Sequence, residues 1–124
     1  MPTIAVLGAS SNRNKFGNKC VRAYAHAGYQ VFPINPTEKE IEGFPAFAKL
    51  ADVPAALDRI SVYLPPPVTL EYLDDLEAKG AGEIWLNPGA YDTPVLEEAR
   101  RRGLPIRPGC SIVDIGLSPA MFGA

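Results

Sequence analysis

The strongest constraint on the fold of this sequence is an alternation between short, continuous apolar runs and stretches of helical period. The apolar runs are bounded by Gly, Pro or Asn and lack the polar alternation of a half-exposed sheet, which is typical of parallel strands buried on both faces. Five runs predict strands, at residues 3–7, 30–34, 59–64, 83–86 and 105–107. Strand–helix–strand units with right-handed crossovers then predict an α/β, three-layer, Rossmann-like doubly wound fold with a mainly parallel five-stranded sheet.

Helical periodicity fills the intervals between the predicted strands. Gly28 ends the first predicted helix, and the apolar residues predicted to share its buried face are Phe16, Cys20, Ala23, Tyr24 and Ala27. A second helix is predicted over residues 68–79, with Gly80 closing it after an apolar stripe of Leu70, Leu73 and Leu76.

Thr93 and Pro94 predict the N-cap and the first position of a further helix, which Gly103 terminates. Residues 38–57 show only short pieces of pattern, because Gly and Pro interrupt them repeatedly. We expect this segment to be a loop with one extended piece and one short helix.

Composition indicates a single domain spanning residues 1–124, with a hydrophobic content of 47% that supplies one core. The net charge of -2 is dispersed along the chain, which disfavours nucleic acid as a partner. The N-terminus lacks the basic flank of a signal peptide and no apolar run has membrane-spanning length, so we expect a cytoplasmic protein without membrane contact. Cys20 and Cys110 lie far apart, which favours reduced thiols and leaves a disulfide open.

The loop after the first predicted strand is a candidate anion site. It is rich in small side chains and leads into a helix, so its backbone N–H groups and the helix dipole would face an anion such as a phosphate. Serine hydroxyls and two basic side chains add further donors. The loop residues predicted to bind are Gly8, Ala9, Ser10, Ser11, Asn12, Arg13, Lys15 and Phe16. The alternative interpretation is an ordinary polar connection between strand and helix.

Two absences argue against NAD as the ligand. Ser10 and Arg13 stand where the second and third glycines of G-x-G-x-x-G would lie. The second strand ends in Asn35 and Pro36, which we include in the candidate site, and Glu38 lies too far along to replace the acidic residue that binds ribose hydroxyls. The Walker sequence of nucleotide hydrolases is also missing.

The ends of the third and fourth predicted strands would form the walls of a crevice beyond the carboxyl ends of the sheet. Residues 62–67 and 84–89 are apolar with few donors, which suits an adenine ring or a pantetheine arm better than a highly charged substrate. Tyr63 and Trp85, taken singly, could equally pack beneath a helix.

Four stretches have a specific order and spacing over nearly the whole chain: the first loop leading into residues 15–17, residues 31–36, residues 43–54 and residues 85–90. Together they resemble the stand-alone CoA-binding domain family, and they are similar also to the N-terminal CoA-binding domain of the succinyl-CoA synthetase alpha subunit. The resemblance implies coenzyme A or an acyl-CoA as the ligand, with residues 10–13 around its phosphates and adenosine. In the family a basic residue lies just past the second strand, and Lys39 matches it only approximately because its position in the sequence is offset. The further pocket residues that it implies are Tyr63, Leu64, Pro65, Leu86, Asn87 and Pro88.

Catalytic chemistry is not predicted. The one histidine, His26, lies near the C-terminal end of the first helix, where a cation interacts well with the helix dipole, and away from the expected crevice. No Ser-His-acid or Cys-His set can be assembled without it, and a metal site would need carboxylates alone, so neither is predicted. The synthetase uses a phosphorylated histidine outside its CoA-binding domain, so the resemblance does not imply its reaction here.

The predicted function is therefore non-catalytic binding of CoA or an acyl-CoA. A small NAD-type oxidoreductase and a CoA-sensing regulatory subunit are the alternatives, and a protein partner or a homodimer is left open. Cys110 follows the last strand; in one hypothesis its thiol faces the pocket and forms a mixed disulfide with CoA, and in the other it is a buried small hydrophobe.

Overall fold

The computed structural model describes residues 1–124, which form seven strands, four α-helices and two short 3-10 helices. In chain order the elements are β1 (Thr3–Leu7), α1 (Phe16–His26), β2 (Gln30–Ile34), β3 (Glu40–Ile41), β4 (Phe44–Pro45), a 3-10 helix (Leu50–Asp52), β5 (Arg59–Val62), α2 (Pro66–Lys79), β6 (Glu83–Leu86), α3 (Thr93–Arg101), β7 (Ile106–Pro108), α4 (Ser111–Asp114) and a 3-10 helix (Pro119–Met121). Three predicted strands have the predicted bounds, whereas β5 ends two residues earlier and β7 is shifted by one residue.

Five of the strands form one parallel sheet in the order β2-β1-β5-β6-β7, which confirms the predicted fold class. The register places Ala5 of β1 between Phe32 of β2 and Ile60 of β5. The strand order reverses at β1, because the chain passes first to β2 on one side and later to β5 on the other. The carboxyl ends of β1 and β5 therefore border the switch point, where a doubly wound sheet opens a crevice.

Helices cover both faces of the sheet and bury its apolar side chains. The residues that α2 and α3 contribute to the core on one face are Leu73, Leu76, Val95 and Ala99. The residues that α1 and α4 contribute on the other face are Cys20, Val21, Ala23, Tyr24 and Ile112. Since β1, β5 and β6 are buried from both sides, their positions are fixed, and the loops at their ends are held by a close-packed scaffold.

The predicted helix faces are correct at their centres and wrong at their ends. Phe16 is 56% exposed and Ala27 is also exposed, because Phe16 is the first residue of α1 and Ala27 lies beyond its last. On α2, Leu70 is 39% exposed and Thr69 is buried in its place. The Thr69 hydroxyl donates to the Leu64 carbonyl at 3.2 Å, so its burial leaves no polar group unpaired.

The N-cap of α3 is Asp92, and the prediction of Thr93 for this role is wrong. Asp92 Oδ1 accepts a hydrogen bond from the Val95 N–H at 3.1 Å, and Thr93 is the first helical residue. A carboxylate at this position both pairs with an orphan N–H and interacts favourably with the helix dipole. The expectation for residues 38–57 is confirmed, since β3 and β4 form a hairpin and the 3-10 helix follows.

The C-terminal segment, for which no element was predicted beyond the last strand, folds back over α1. The Ser111 N–H donates to Asn87 Oδ1 at 2.9 Å, and the Ser111 carbonyl accepts from the Tyr24 hydroxyl at 2.7 Å. Asp114 forms an ion pair of 2.7 Å with Arg59 of β5. These contacts fix α4 against the sheet beside the crevice. No helix of the chain has the length and apolarity needed to cross a membrane.

Candidate functional site

A cleft of about 760 Å³ lies at the carboxyl ends of the parallel strands, at the switch point between β1 and β5. Four segments build it: the loop after β1 with the start of α1, the end of β2, the segment after β5 and the segment after β6. Its lining residues are Gly8, Ala9, Ser10, Asn14, Lys15, Phe16, Gly17, Asn35, Tyr63, Leu64, Pro65, Pro66, Pro88, Gly89 and Ala90. The cleft is therefore in the place where doubly wound sheets bind their ligands.

Two glycines allow the loop after β1 to pack backbone against backbone. Gly8 has φ +82°, and a Cβ there would lie 2.2 Å from the Tyr63 carbonyl oxygen. A Cβ on Gly17 would lie 2.2 Å from the Gly8 carbonyl oxygen. Side chains at either position would force the start of α1 away from the sheet, so the glycines set the height of the loop above β1 and β5.

The N-terminus of α1 points its dipole toward the cleft without a capping side chain. Lys15 occupies the N-cap position and makes no side-chain capping bond. Within the loop, Ser10 Oγ accepts from the Asn12 N–H at 3.0 Å, and Asn12 Oδ1 accepts from the Asn14 N–H at 3.0 Å. An uncapped helix start next to a loop of small residues is a favourable environment for an anionic group.

Lys15 is the one charged side chain among the residues that line the cleft. Arg13, which was predicted to add positive charge there, instead forms a 3.2 Å ion pair with Glu42 and lies outside the lining. Glu42 also accepts from Asn18 Nδ2 at 3.0 Å, and this hydrogen bond, followed by Arg13, holds the pKa of its carboxyl below the ordinary value. The positive charge available to a ligand in the cleft therefore comes from Lys15.

Glu38 folds back onto the loop after β1, although it lies four residues beyond the end of β2. Its Oε2 accepts from the Ser11 N–H and from Asn35 Nδ2, each at 3.1 Å. The hydrogen bonds from Ser11 lower the pKa of the Glu38 carboxyl. Asn35 Nδ2 also donates to the Ala9 carbonyl at 2.9 Å, so the end of β2 is tied to the loop after β1. Neither Pro36 nor Lys39 lines the cleft, and both are exposed.

The opposite wall is apolar and comes from the ends of β5 and β6. The side chains that it presents are those of Tyr63, Leu64, Pro65, Pro66, Pro88 and Ala90. The Tyr63 hydroxyl is buried without a hydrogen-bond partner, and burial raises its pKa above the ordinary value. Trp85 does not reach the cleft; it is almost fully buried and lies under the Arg59 guanidinium, 5.6 Å from the ring centroid.

Leu86 and Asn87 were predicted to line the pocket, and the structure places both outside the main cleft. Leu86 belongs to the core under α2 and α3. Asn87 is 1% exposed and donates to Ser61 Oγ at 2.8 Å and to the Val62 carbonyl at 2.9 Å. With the bond that it accepts from Ser111, Asn87 joins β5, β6 and α4.

Ten of the predicted site residues are brought together in the cleft: Gly8, Ala9, Ser10, Lys15, Phe16, Asn35, Tyr63, Leu64, Pro65 and Pro88. The predicted residues that do not line it are Ser11, Asn12, Arg13, Pro36, Lys39, Leu86 and Asn87. The cleft residues that sequence reasoning missed are Asn14, Gly17, Pro66, Gly89 and Ala90. Most of these directly follow predicted positions, so extending each loop by one or two residues would have found them.

A smaller side pocket of about 120 Å³ adjoins the cleft. Its lining residues are Phe16, Tyr63, Asn87, Pro88, Cys110 and Pro119. Cys110 is half-buried and its residue lines this pocket. Cys20 is fully buried, and this burial raises the pKa of its thiol to about 11. Both cysteines are free.

His26 lies at the other end of α1, where its ring packs edge-on against Phe122 with 6.3 Å between the centroids. It does not line the cleft. No group of three or more His, Cys, Asp or Glu side chains is arranged to hold a metal ion.

Comparison with known proteins relates the chain to one protein family and to several similar proteins. A family model described as a CoA binding domain matches residues 2–116. The ADP-forming acetate–CoA ligase II subunit alpha of Pyrococcus furiosus is 28% identical over 100 residues, which are 79% of this chain and 21% of that protein. The uncharacterized protein YneT of Bacillus subtilis is 26% identical over 104 residues, which are 81% of this chain and 74% of that protein. The chain thus spans about a fifth of the length of the ligase subunit.

Solved structures have the same architecture. A conserved hypothetical protein from Pyrococcus furiosus superposes with a TM-score of 0.84 at 28% identity, covering 92% of this chain and 99% of that chain. A protein from Thermus thermophilus, described as cell-free ID.343, gives a TM-score of 0.84 at 29% identity, covering 91% of this chain and 87% of that chain. The match to the family model over nearly all of the sequence, on the same α/β fold, shows that the chain belongs to the CoA binding domain family.

Proposed function

We propose that the cleft binds coenzyme A or an acyl-CoA and holds it without transforming it. The observation that carries this proposal is the loop after β1, where Gly8 and Gly17 bring an uncapped helix start and Lys15 to the switch point of the sheet. Family membership supports CoA as the class of ligand. The phosphates would then lie where the loop meets α1, since the N–H groups of an uncapped helix start and the Lys15 ammonium are complementary partners of a phosphate. The Ser11, Asn12 and Asn14 N–H groups already have acceptors within the protein.

The apolar wall supports the placement of the pantetheine arm. Tyr63, Leu64, Pro65 and Pro66 offer a surface with few polar groups along one side of the cleft. A thin, mostly apolar arm would bury its methylene groups there, at about 25 cal/mol for each Å² of apolar surface removed from water. The two halves of the cleft thus differ in chemistry in the same way as the two halves of CoA.

The titratable side chains of the cleft favour binding over catalysis. They are Lys15 and Tyr63, and the raised pKa of Tyr63 keeps its phenol protonated at neutral pH. General acid–base catalysis needs a group whose pKa lies near the working pH and which reaches the reacting atoms. The region matched in the ligase relative is about a fifth of that protein, and we propose that this region supplies CoA binding.

Glu38 gives a reason to test a second candidate, a dinucleotide with a free ribose such as NAD. Its carboxylate lies at the loop after β1, where an acidic residue accepts ribose hydroxyls in dinucleotide-binding sheets. In this chain, however, the carboxylate already accepts from Ser11 and Asn35, and the glycine fingerprint is broken. We therefore expect NADH to bind more weakly than CoA.

Isothermal titration calorimetry with CoA and with NADH tests both candidates on the same protein. We expect saturable binding of CoA at one site per chain and no more than weak binding of NADH. The absence of CoA binding at millimolar concentration would reject the proposal. Saturable NADH binding tighter than that of CoA would favour the dinucleotide instead.

Replacing Lys15 by Gln is expected to weaken CoA binding about tenfold, because a charge-assisted hydrogen bond to phosphate contributes about 1.5 kcal/mol or more. Lys19, one turn further along α1, provides the matched control, since its ammonium lies 5.6 Å from the Phe16 ring centroid and the residue does not line the cleft. Titrations of K15Q and K19Q at low and high salt check the prediction. Added salt should weaken binding to the native protein more than binding to K15Q. Equal effects of the two substitutions would show that Lys15 has no special role.

A further inference from the structure

Of the polar side chains that line the side pocket, Asn87 is fully hydrogen-bonded within the protein, whereas the Tyr63 hydroxyl is buried without a partner. The side pocket shares Phe16, Tyr63 and Pro88 with the cleft, so the two spaces adjoin. Asn87, on another wall, uses both hydrogens of its amide on β5 and its oxygen on the Ser111 N–H. What remains for a ligand is a mainly apolar surface of two aromatic rings and two proline rings, with the Tyr63 hydroxyl and the Cys110 thiol as its polar groups. Such a surface suits a small apolar group.

The position of the side pocket along the carboxyl edge of the sheet indicates which end of a bound ligand would lie next to it. Asn35 follows β2 at one edge of the sheet, and Cys110 follows β7 at the opposite edge. The loop after β1 lies next to the β2 edge, so a ligand that starts at this loop and crosses the carboxyl ends of β5 and β6 would run toward the β7 edge. The side pocket opens on the side of β6 and β7, next to the apolar wall proposed for the pantetheine arm.

The volume of the side pocket limits what can enter it. An apolar cavity of about 150 Å³ holds one benzene molecule, so the 120 Å³ of the side pocket corresponds to a group of fewer than about six carbons. An acyl group of two to four carbons fits this space, and a chain of eight carbons does not.

We propose that the side pocket receives the acyl group of a short-chain acyl-CoA, an inference that rests on the proposed CoA site. The thioester sulfur lies at the end of the pantetheine arm, so the acyl group is the part of the ligand that projects beyond that arm. Burial of each methylene group increases affinity about fourfold, so the affinity of the pocket is expected to depend on the length of the acyl chain.

Calorimetric titration of the native protein with CoA, acetyl-CoA, butyryl-CoA and octanoyl-CoA tests this inference. We expect acetyl-CoA and butyryl-CoA to bind several-fold more tightly than CoA, and octanoyl-CoA to lose that gain. If CoA and its three thioesters all bind with equal affinity, the proposed acyl pocket is wrong and the proposed CoA-binding function stands. Absence of binding by every member of the series would reject the proposed function itself.

Two substitutions change the size of the side pocket in opposite directions. Cys110→Leu fills it, so the ratio of acetyl-CoA affinity to CoA affinity is expected to fall to about one. Pro119→Ala enlarges it, so the preferred chain length is expected to increase. Val113→Leu is the control, because Val113 is 59% exposed on α4 and lines neither space, and its affinity ratio should equal that of the native protein.

Circular dichroism first establishes that each variant is folded. If C110L does not fold, P119A decides the question alone, since it removes atoms from a partly exposed position. An unchanged chain-length preference in the folded P119A variant would contradict the inference, and a shift toward longer chains would support it.

Discussion

Replacing Gly8 by Ala is expected to lower the free energy of unfolding by about 3 kcal/mol and to reduce CoA affinity at least tenfold. Part of the loss comes from the backbone, because φ +82° costs a residue with a Cβ about 1–2 kcal/mol. The remainder, about 1–3 kcal/mol, comes from forcing apart the loop after β1 and the Tyr63 carbonyl, which a Cβ would approach to 2.2 Å. The same displacement would move the loop that we propose binds the phosphates.

Gly28→Ala separates these two contributions. Gly28 has φ +89° but nothing within 4 Å of the position that a Cβ would take, and it lies beyond α1, away from the cleft. Urea unfolding should therefore show a loss of only about 1–2 kcal/mol for G28A, with CoA affinity unchanged. If the two variants lose equal stability and bind CoA equally, the close packing of the loop against Tyr63 is not what requires glycine at position 8.

Replacing Asn87 by Ala is expected to lower the free energy of unfolding by about 3 kcal/mol. The substitution removes three buried hydrogen bonds and leaves the Ser111 N–H without an acceptor, and each unsatisfied buried group costs about 1–3 kcal/mol. Because Ser111 begins α4, the loss should be felt most strongly in the C-terminal segment. Hydrogen exchange at the Ser111 amide, together with urea unfolding, measures both effects.

Asn12→Ala is the matched control for N87A. Asn12 is exposed and its side chain makes one hydrogen bond, to the Asn14 N–H. An exposed substitution of this kind changes stability by about 0.5 kcal/mol. Similar losses in the two variants, or fast exchange at Ser111 in neither, would contradict the role of Asn87 as the link between the sheet and α4.

The strands could be predicted from the sequence because burial on both faces leaves a continuous apolar run. β1, β2 and β6 have the predicted bounds, and their carboxyl ends correctly indicated where the cleft lies. Capping preferences in the sequence were less informative about where helices begin and end. Both Asp92 and Thr93 are good capping residues, and the choice between them depends on where α3 begins.

The differences between the predicted site residues and the lining of the cleft come from side-chain direction and from distant partners. Asn87 follows the last residue of β6 and turns into the protein, where its amide meets Ser61 and Ser111, so its place after a strand did not make it a cleft residue. Arg13 pairs with Glu42, 29 residues further along, and no local pattern predicts that pair. Family resemblance supplied CoA as the ligand class, because an anion-binding loop by itself does not distinguish CoA from other phosphates.

The short helix α4 could not be predicted, because four residues between Gly109 and Gly116 are too few to show a helical period. Its position depends on contacts with α1, β5 and β6 that are distant in sequence. The side pocket, which depends on Cys110 and Pro119 from this segment, therefore emerges only from the structure.

The most direct test of the central claim is a titration of isotopically labelled protein with CoA, followed by the backbone amide resonances. We predict that the largest shifts occur in the loop after β1, at Ala9, Ser10 and Gly17, and extend to Tyr63 and Leu64 along the apolar wall. Shifts confined to the shallow groove between α2 and α3, at Leu70, Glu97 and Arg101, would contradict the proposed site, as would the absence of any shift at saturating CoA.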